Sequence, residues 1–383
     1  MPEPIGLYIH IPFCESKCGY CDFYSLPKEK CGKELYKAYV DALLLQMADY
    51  KEQLYGIPVN SVFIGGGTPT ILSKDLLKKV LVGIKKNFAV SPSAEWTIEA
   101  NPKSSMKSLF KMARTCGVNR VSLGVQSFND DELKSLNRPH TAEDAKNAIL
   151  ALNKAKITNF NIDLMYGIPN QDEASFISSI KEALALSPSH ISCYALTVEP
   201  NTPFNLKKQS LNLADDDLLR KMYFSAVDLL EGAGYKHYEI SNFAKPGYEC
   251  KHNIKYWNCD EYLGLGCAAH SYFSSKRFGF VKDINEYISG INDKSQLVDE
   301  NGVSEIKANE MVAEYVMLRF RLKDGISENA FYLRFKKDFT QIFGKKLQKY
   351  IDSKHIVKDG SRYYFTSEGF FVSNTILTDL IDI

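Results

Sequence analysis

Residues 8–21 read Tyr8-Ile9-His10-Ile11-Pro12-Phe13-Cys14-Glu15-Ser16-Lys17-Cys18-Gly19-Tyr20-Cys21. Residues 7–11 have the make-up of a buried β-strand, and Pro12 removes a donor where the strand would continue. Three cysteines follow at once, in a C-x3-C-x2-C array on the loop after that strand. The pattern of strand, loaded loop and helix then recurs. Further strands are predicted at residues 59–64, 95–100, 119–124, 159–165 and 190–196, and helices at 33–55, 74–86, 130–155 and 172–186. Repeated βα units imply a parallel sheet with right-handed crossovers. The expected fold is α/β, a partial parallel (β/α)6-type barrel. In such sheets chemistry gathers at the carboxyl ends of the strands.

The rhythm breaks near residue 200. Three regions are expected: a core barrel over 1–235, an aromatic and cysteine-rich extension over 236–285, and a small helical, winged-helix-like α+β module over 286–383. The wing is read from Tyr363-Tyr364-Phe365-Thr366 and Gly369. The lysines between residues 335 and 350 read as a solvated helix face.

Composition narrows the function. The 383 residues are 45% hydrophobic and 24% charged, which excludes disorder as the main state. Lys+Arg is 47 against Asp+Glu 46, so a protein built to grip nucleic acid is not expected. No secretory signal or membrane-spanning run is read, and a cytoplasmic protein is expected, with peripheral membrane contact at most. Nine cysteines, an odd number, suit free thiols or metal ligands in a reducing compartment better than a disulfide framework.

The cysteine loop leaves two chemistries open. Structural zinc wants four protein ligands, and the only nearby candidates for the fourth are His10 and Cys31. Three thiolates on one short loop better suit a 4Fe–4S cluster with one iron left open, because electron-transfer clusters usually fill all four irons. An open iron can chelate the amino and carboxylate groups of S-adenosylmethionine. One-electron reduction of such a cluster then splits the sulfonium.

The array, with an aromatic before its third cysteine, resembles the radical S-adenosylmethionine superfamily. The wording Tyr-x-His-Ile-Pro-Phe-Cys is similar to the oxygen-independent coproporphyrinogen III oxidase group within it. The resemblance implies that Cys14, Cys18 and Cys21 hold the cluster. Gly65-Gly66-Gly67-Thr68 follows the second strand, where missing Cβ atoms let backbone approach a ligand. The resemblance places Gly66, Gly67 and Thr68 against S-adenosylmethionine. It likewise implies that Tyr8, Tyr20 and Glu99 contact this ligand, and that Gln126, Arg138 and Asp163 line a second site for it. Chemically, Glu99 at a strand end can fix a ribose hydroxyl or an ammonium. Arg138 can hold a carboxylate bidentately.

The group contains both oxidases, which convert porphyrinogen propionates to vinyls, and haem chaperones. The oxidases carry a fourth cysteine two positions after the third, where this chain has Phe23. They also carry an extension before the cluster strand, whereas seven residues precede Tyr8 here. The stretch His252-Asn253-Ile254-Lys255-Tyr256-Trp257 is similar to the H-N-x-x-Y-W motif of the chaperones. The resemblance therefore implies haem as cargo and His252 as its contact, a membrane-bound haem acceptor as partner, an unspecified electron donor and a possible homodimer. Direct tetrapyrrole chemistry by an oxidase is the alternative, and a zinc module the remote one.

Overall fold

The computed structural model describes residues 2–102, 106–293, 297–299, 304–305 and 307–381. Six strands follow one another in the expected order: β1 (Ile5–Ile11), β2 (Val59–Gly66), β3 (Val90–Ala100), β4 (Arg120–Gln126), β5 (Phe160–Tyr166) and β6 (His190–Ala195). Each pairs in parallel with the next. The crossovers carry α1 (Lys33–Tyr50), α2 (Lys74–Asn87), α3 (Lys107–Thr115), α4 (Ala142–Lys154) and α5 (Glu173–Ala185), and α6 (Asp216–Gly232) follows β6. The chain is a mixed α/β fold with a largely parallel sheet.

Helix starts follow local chemistry. Ser73 accepts from the Leu76 amide at α2, and Thr141 and Asp144 form a capping box at α4.

Alternation along the strands divides the interior. In β1, Leu7, Ile9 and Ile11 are fully buried and join one core with Leu43 and Met47 of α1. Each such side chain contributes about 1.5–3 kcal/mol of burial. The intervening Tyr8 and His10 point to the opposite face, because successive side chains alternate. Both faces are thus covered, as parallel sheets require.

Strands within residues 236–285 add to this sheet. β7 (Lys236–Glu239) and β8 (Asn242–Ala244) extend the β6 edge. β9 (Tyr262–Leu265) pairs in parallel with β1, giving a seventh parallel strand. β10 (His270–Phe273), β11 (Lys276–Gly279) and β12 (Ser304–Glu305) follow antiparallel on that side. Between the two edges runs α7 (Lys251–Asn258). The sheet order is β12-β11-β10-β9-β1-β2-β3-β4-β5-β6-β8-β7. Its two edges are distinct strands, and one cavity touches residues of β2 through β6. The sheet therefore curls around that cavity as an open barrel.

Beyond it, Ile326–Ser327, Arg362–Phe365 and Ile356–Asp359 form a three-stranded antiparallel sheet packed with helices Glu328–Phe335 and Phe339–Asp352. This is the small helix-and-wing module. It is tied beneath α7 by Arg334, whose guanidinium donates to the carbonyls of Asn258 and Cys259.

Candidate functional site

The three cysteines occupy one rim of the barrel, after the carboxyl end of β1. Their loop is pinned from several sides. The Phe204 amide donates to the Gly19 carbonyl at 2.8 Å, the Gly19 amide to Leu136 O, and Asn137 Nδ2 to Lys17 O. Next to it, the glycine loop after β2 closes on β1. Gly67 N donates to Ile11 O at 2.9 Å and Thr68 N to Phe13 O at 2.6 Å. A Cβ on Gly67 would lie 2.5 Å from Phe13 O, so only glycine permits this approach.

A polar chain then links two of the cysteines across three strand ends. Thr68 Oγ1 donates to Cys14 Sγ at 3.7 Å, and Asn101 Nδ2 donates to Thr68 Oγ1 at 2.9 Å. Arg138 Nη2 donates to Asn101 Oδ1 at 2.7 Å and to Gly124 O, and Arg138 Nη1 donates to Cys18 Sγ at 3.2 Å. The Arg138 fork is thus engaged by protein groups, and it is not free for the bidentate carboxylate grip that the sequence suggested. Its Nε has no partner among the described residues.

A cavity of about 580 Å³ opens below this rim. Cys14, Cys18, Cys21, Tyr20, Gly66, Gly67, Thr68, Glu99, Gln126, Arg138 and Asp163 all line it. The structure thus gathers in one place the expected contacts from the cysteine loop, the glycine loop and the strand interiors. Tyr8 is outside the wall; its ring packs 6.3 Å from that of Phe63, and its hydroxyl meets His10 Nδ1 at 2.9 Å.

The carboxylates are in unusual surroundings. Glu99 accepts from Gly66 N at 3.1 Å. Burial, with Asp163 second, pushes its pKa up to about 8 against the opposing pull of Gly66 N–H and Arg120. Asp163 is raised by burial as well, although Asn161 Nδ2 donates to it at 2.6 Å. Gln126 takes a positive φ of 71° and accepts from Tyr194 OH at 2.6 Å.

Sequence reading missed much of the wall. Arg120, Ser122, Asn161, His190, Ser192 and Tyr194 also line the cavity. They are the alternate positions of β4, β5 and β6, and this period of two inside otherwise apolar strands was the available signal.

His252 lies away from the cysteine rim. Helix α7 closes the amino end of the barrel, opposite the cysteines. Glu95, midway along β3, accepts from the Lys251 and His252 amides at the helix N-terminus, both at 3.1 Å. Lys255 Nζ donates to Pro4 O at 2.8 Å. The His252 ring meets Ser61 Oγ at 2.9 Å and Tyr256 OH at 2.8 Å, so both nitrogens are engaged, and it stacks on Phe63 at 5.3 Å. With 1% exposure it offers no free nitrogen to a haem iron. Burial, then the nearby Lys255 and Arg120 charges, hold its pKa down to about 3. From this motif, Asn253 reaches the cavity.

The residues at the rim fit a cluster. All nine cysteines are free thiols. Burial pushes Cys21 up to about 11, and the neighbouring Cys18 and Cys14 add to the rise, so the three thiolates call for a cationic centre. Zinc is poorly served, since both candidates for a fourth ligand are otherwise engaged. His10 uses its two nitrogens on Tyr8 OH and Tyr24 O, and Cys31 Sγ faces Leu26 O. Among the described residues, no three His, Cys, Asp or Glu side chains converge as ligands of one metal ion. A cubane spreads its thiolates over separate irons and does not need that convergence.

Comparison with known proteins agrees. Residues 8–183 match the radical SAM superfamily and residues 306–372 the HemN C-terminal domain. The heme chaperone HemW of Buchnera aphidicola subsp. Schizaphis graminum is 38% identical over 380 residues, covering 99% of both chains. The chain belongs to the HemW group of the radical SAM superfamily. The HemW of Haemophilus influenzae is 35% identical, covering 98% of each chain. That of Escherichia coli is 33% identical, covering 98% of this chain and 97% of its own. The solved coproporphyrinogen III oxidase HemN from Escherichia coli superposes with a TM-score of 0.86 at 22% identity, over 99% of this chain and 90% of that one, which establishes the shared fold. Radical SAM membership implies a 4Fe–4S cluster and S-adenosylmethionine. Among the described residues no helix is long and apolar enough to cross a membrane.

Proposed function

We propose that this chain is a haem chaperone that carries radical S-adenosylmethionine machinery. Cys14, Cys18 and Cys21 would hold the cluster, and the Gly66–Thr68 loop, Tyr20 and Glu99 would receive the nucleotide in the same cavity. When bound, the cluster supplies an electron and an open coordination position. The chain's own residues do the rest. The Arg138–Asn101–Thr68 relay fixes the cysteine loop to the strand ends, Glu99 accepts hydrogen bonds from the ligand, and the curled sheet with α7 excludes water.

The single observation that carries the chaperone reading is full-length similarity, at 32–38% identity, to proteins named heme chaperone HemW. Phe23 supports it. This side chain lines the cavity mouth, is 65% exposed and offers neither a proton nor a ligand where the oxidases have a cysteine. In this reading the cargo is handed to a membrane-bound haem protein by a cytoplasmic carrier that touches the membrane only at transfer. An electron donor and a second copy of the chain are further expected partners.

An oxidase is the second reading, favoured by the retention of Glu99, Gln126, Arg138 and Asp163 around one cavity. Two assays on anaerobically reconstituted protein decide. Haem titration followed at the Soret band should saturate, and coproporphyrinogen III should be recovered without loss of propionates. Vinyl products would overturn the chaperone reading.

A further inference from the structure

A chaperone's haem needs a seat that the nucleotide cavity does not supply. The cavity of about 580 Å³ is the size of a site for one drug-sized ligand, roughly 300–1,000 Å³, and the cluster and nucleotide claim it. The cargo must also stay within reach of the protein that receives it. Both points call for an iron ligand on the surface beside the cavity.

Imidazole is a common protein ligand of haem iron, and the chain has seven histidines. Five of them, His10, His140, His190, His237 and His252, are only 1–4% exposed. His10, His190 and His252 have both ring nitrogens engaged. His140 and His237 each spend one nitrogen on a backbone carbonyl. His355, on the wing module, spends Nδ1 on Ser353 at 2.8 Å. His270 remains. It is exposed, and neither ring nitrogen has a hydrogen-bond partner among the described residues.

The sheet puts this ring on the cavity side. Gly6 of β1 pairs with Tyr262 of β9, and Tyr262 pairs with Tyr272 of β10. Paired residues share a face, as do residues two apart on a strand, so His270 faces the same side as Gly6 and Tyr8. Tyr8 in turn pairs with Phe63, which lines the cavity. Because β9 runs parallel to β1, the turn from β9 into His270 lies at the end of the barrel that carries the cysteine loop. His270 is near enough to lower the pKa of His10, whose Nε2 meets Tyr24 O of that loop. Its partner on β11 is Gly279, where a Cβ would lie 3.0 Å from the imidazole. The neighbouring strand therefore sets no side chain beside the ring. Burial first and Lys282 second lower the pKa of His270, joined by Arg277 and opposed by Asp299, so the ring is a neutral base near pH 7.

We infer that His270 is the axial ligand of the haem iron, on the rim beside the nucleotide cavity. The inference rests on the chaperone reading and names the residue that holds the cargo. A ring nitrogen donates its lone pair to the iron, and no electron or proton moves. One exposed imidazole holds the haem from one side and leaves the rest open to the protein that takes it.

The test titrates haem into the full, cluster-reconstituted chain as wild type, His270→Ala, His270→Gln and His355→Ala. The Soret band reads affinity, and the ferrous carbonyl adduct separates imidazole from thiolate ligation. Wild type should show imidazole ligation. His270→Ala should lose it, bind haem at least about tenfold more weakly, and regain the wild-type band when free imidazole is added. His355→Ala should match wild type. Without haem, the His270 variants should unfold where wild type does, because the ring has no hydrogen bond to lose.

The inference is overturned if His270→Ala keeps the wild-type band, whatever its affinity, if wild type shows thiolate ligation, or if His355→Ala shifts the band instead. Should His270→Ala fail to fold, His270→Gln is read in its place; failure of both would give the ring a structural duty and overturn the inference as well. Haem left unbound by wild type defeats the chaperone reading itself, whereas binding that ignores His270 defeats only this assignment.

Discussion

Arg138 Nη1 donates to Cys18 Sγ at 3.2 Å, although 120 residues separate them in the chain. The same guanidinium donates to Asn101 Oδ1 and Gly124 O, so one side chain fastens the cysteine loop to the ends of β3 and β4. Arg138→Met would leave those acceptors unpaired. A loss of about 2–4 kcal/mol is expected, from breaking buried charge-assisted hydrogen bonds. Iron and sulfide per chain after reconstitution should fall several-fold, and urea unfolding should shift to lower denaturant. Normal cluster loading in Arg138→Met would refute this role.

Gly67→Ala tests the clamp between β1 and the glycine loop. The new methyl would press on Phe13 O and Ile11 O, both backbone atoms that cannot swing away. Overpacking of this kind costs about 1–3 kcal/mol. Cys14 follows Phe13 directly, so cluster loading should drop along with the unfolding midpoint. Gly232→Ala is the control, since a Cβ there meets nothing within 4 Å.

Glu99 predicts a pH dependence. Its pKa rises from the ordinary carboxylate range to about 8, by burial first and Asp163 second. The raised value means that its contribution to folding is full below pH 4.5 and is lost as pH rises through about 8. Ligand binding runs the other way. A ribose hydroxyl or ammonium bonds the ionised carboxylate best, so affinity for S-adenosylmethionine should climb with pH, by up to about tenfold per unit, and level off above about 8. Glu99→Gln should flatten that rise. Calorimetric titrations across the range would show it, and an unchanged slope in the variant would remove Glu99 from the site.

His252→Ala should behave as a packing lesion. It removes a ring stacked on Phe63 and leaves Ser61 and Tyr256 without their partner, at a cost of about 2–4 kcal/mol. Haem bound by the folded variant should keep the wild-type Soret position; a displaced band would return His252 to the haem iron.

His252 also contributes to acid lability. With its pKa held down to about 3, it favours the fold above pH 6.5 and withdraws that support as pH falls toward 3. His10, held down to about 4 chiefly by burial, acts in the same direction. Cluster-free His252→Gln should therefore lose stability less steeply than wild type between those limits, by about one proton. Equal slopes in pH-dependent denaturation would contradict the buried, neutral ring.

The residues legible in sequence are those whose chemistry is declared locally. Cys14, Cys18 and Cys21 announce themselves by spacing, the Gly65–Gly67 run by its missing side chains, and Glu99 and Gln126 by standing at strand ends. The βα rhythm set the parallel order, because a right-handed crossover leaves few alternatives. The pairing of residues 236–285 was not legible, because edge strands and a floor helix have ordinary compositions. Nothing local in Tyr262–Leu265 says that it pairs with β1 from more than 250 positions away.

Sequence by itself thus determined the three-cysteine loop, the largely parallel α/β class and the group to which this chain belongs, since all three rest on short-range spacing and on strand and helix periods. Only tertiary structure decided that Arg138 serves the cysteines, that His252 is sealed under the barrel with both nitrogens bound, and that Arg120 shares the cavity wall with Glu99 and Asp163. The reason is physical. A side chain's charge state and freedom to bind depend on which partners the fold brings within hydrogen-bond reach, and those partners come from distant parts of the chain.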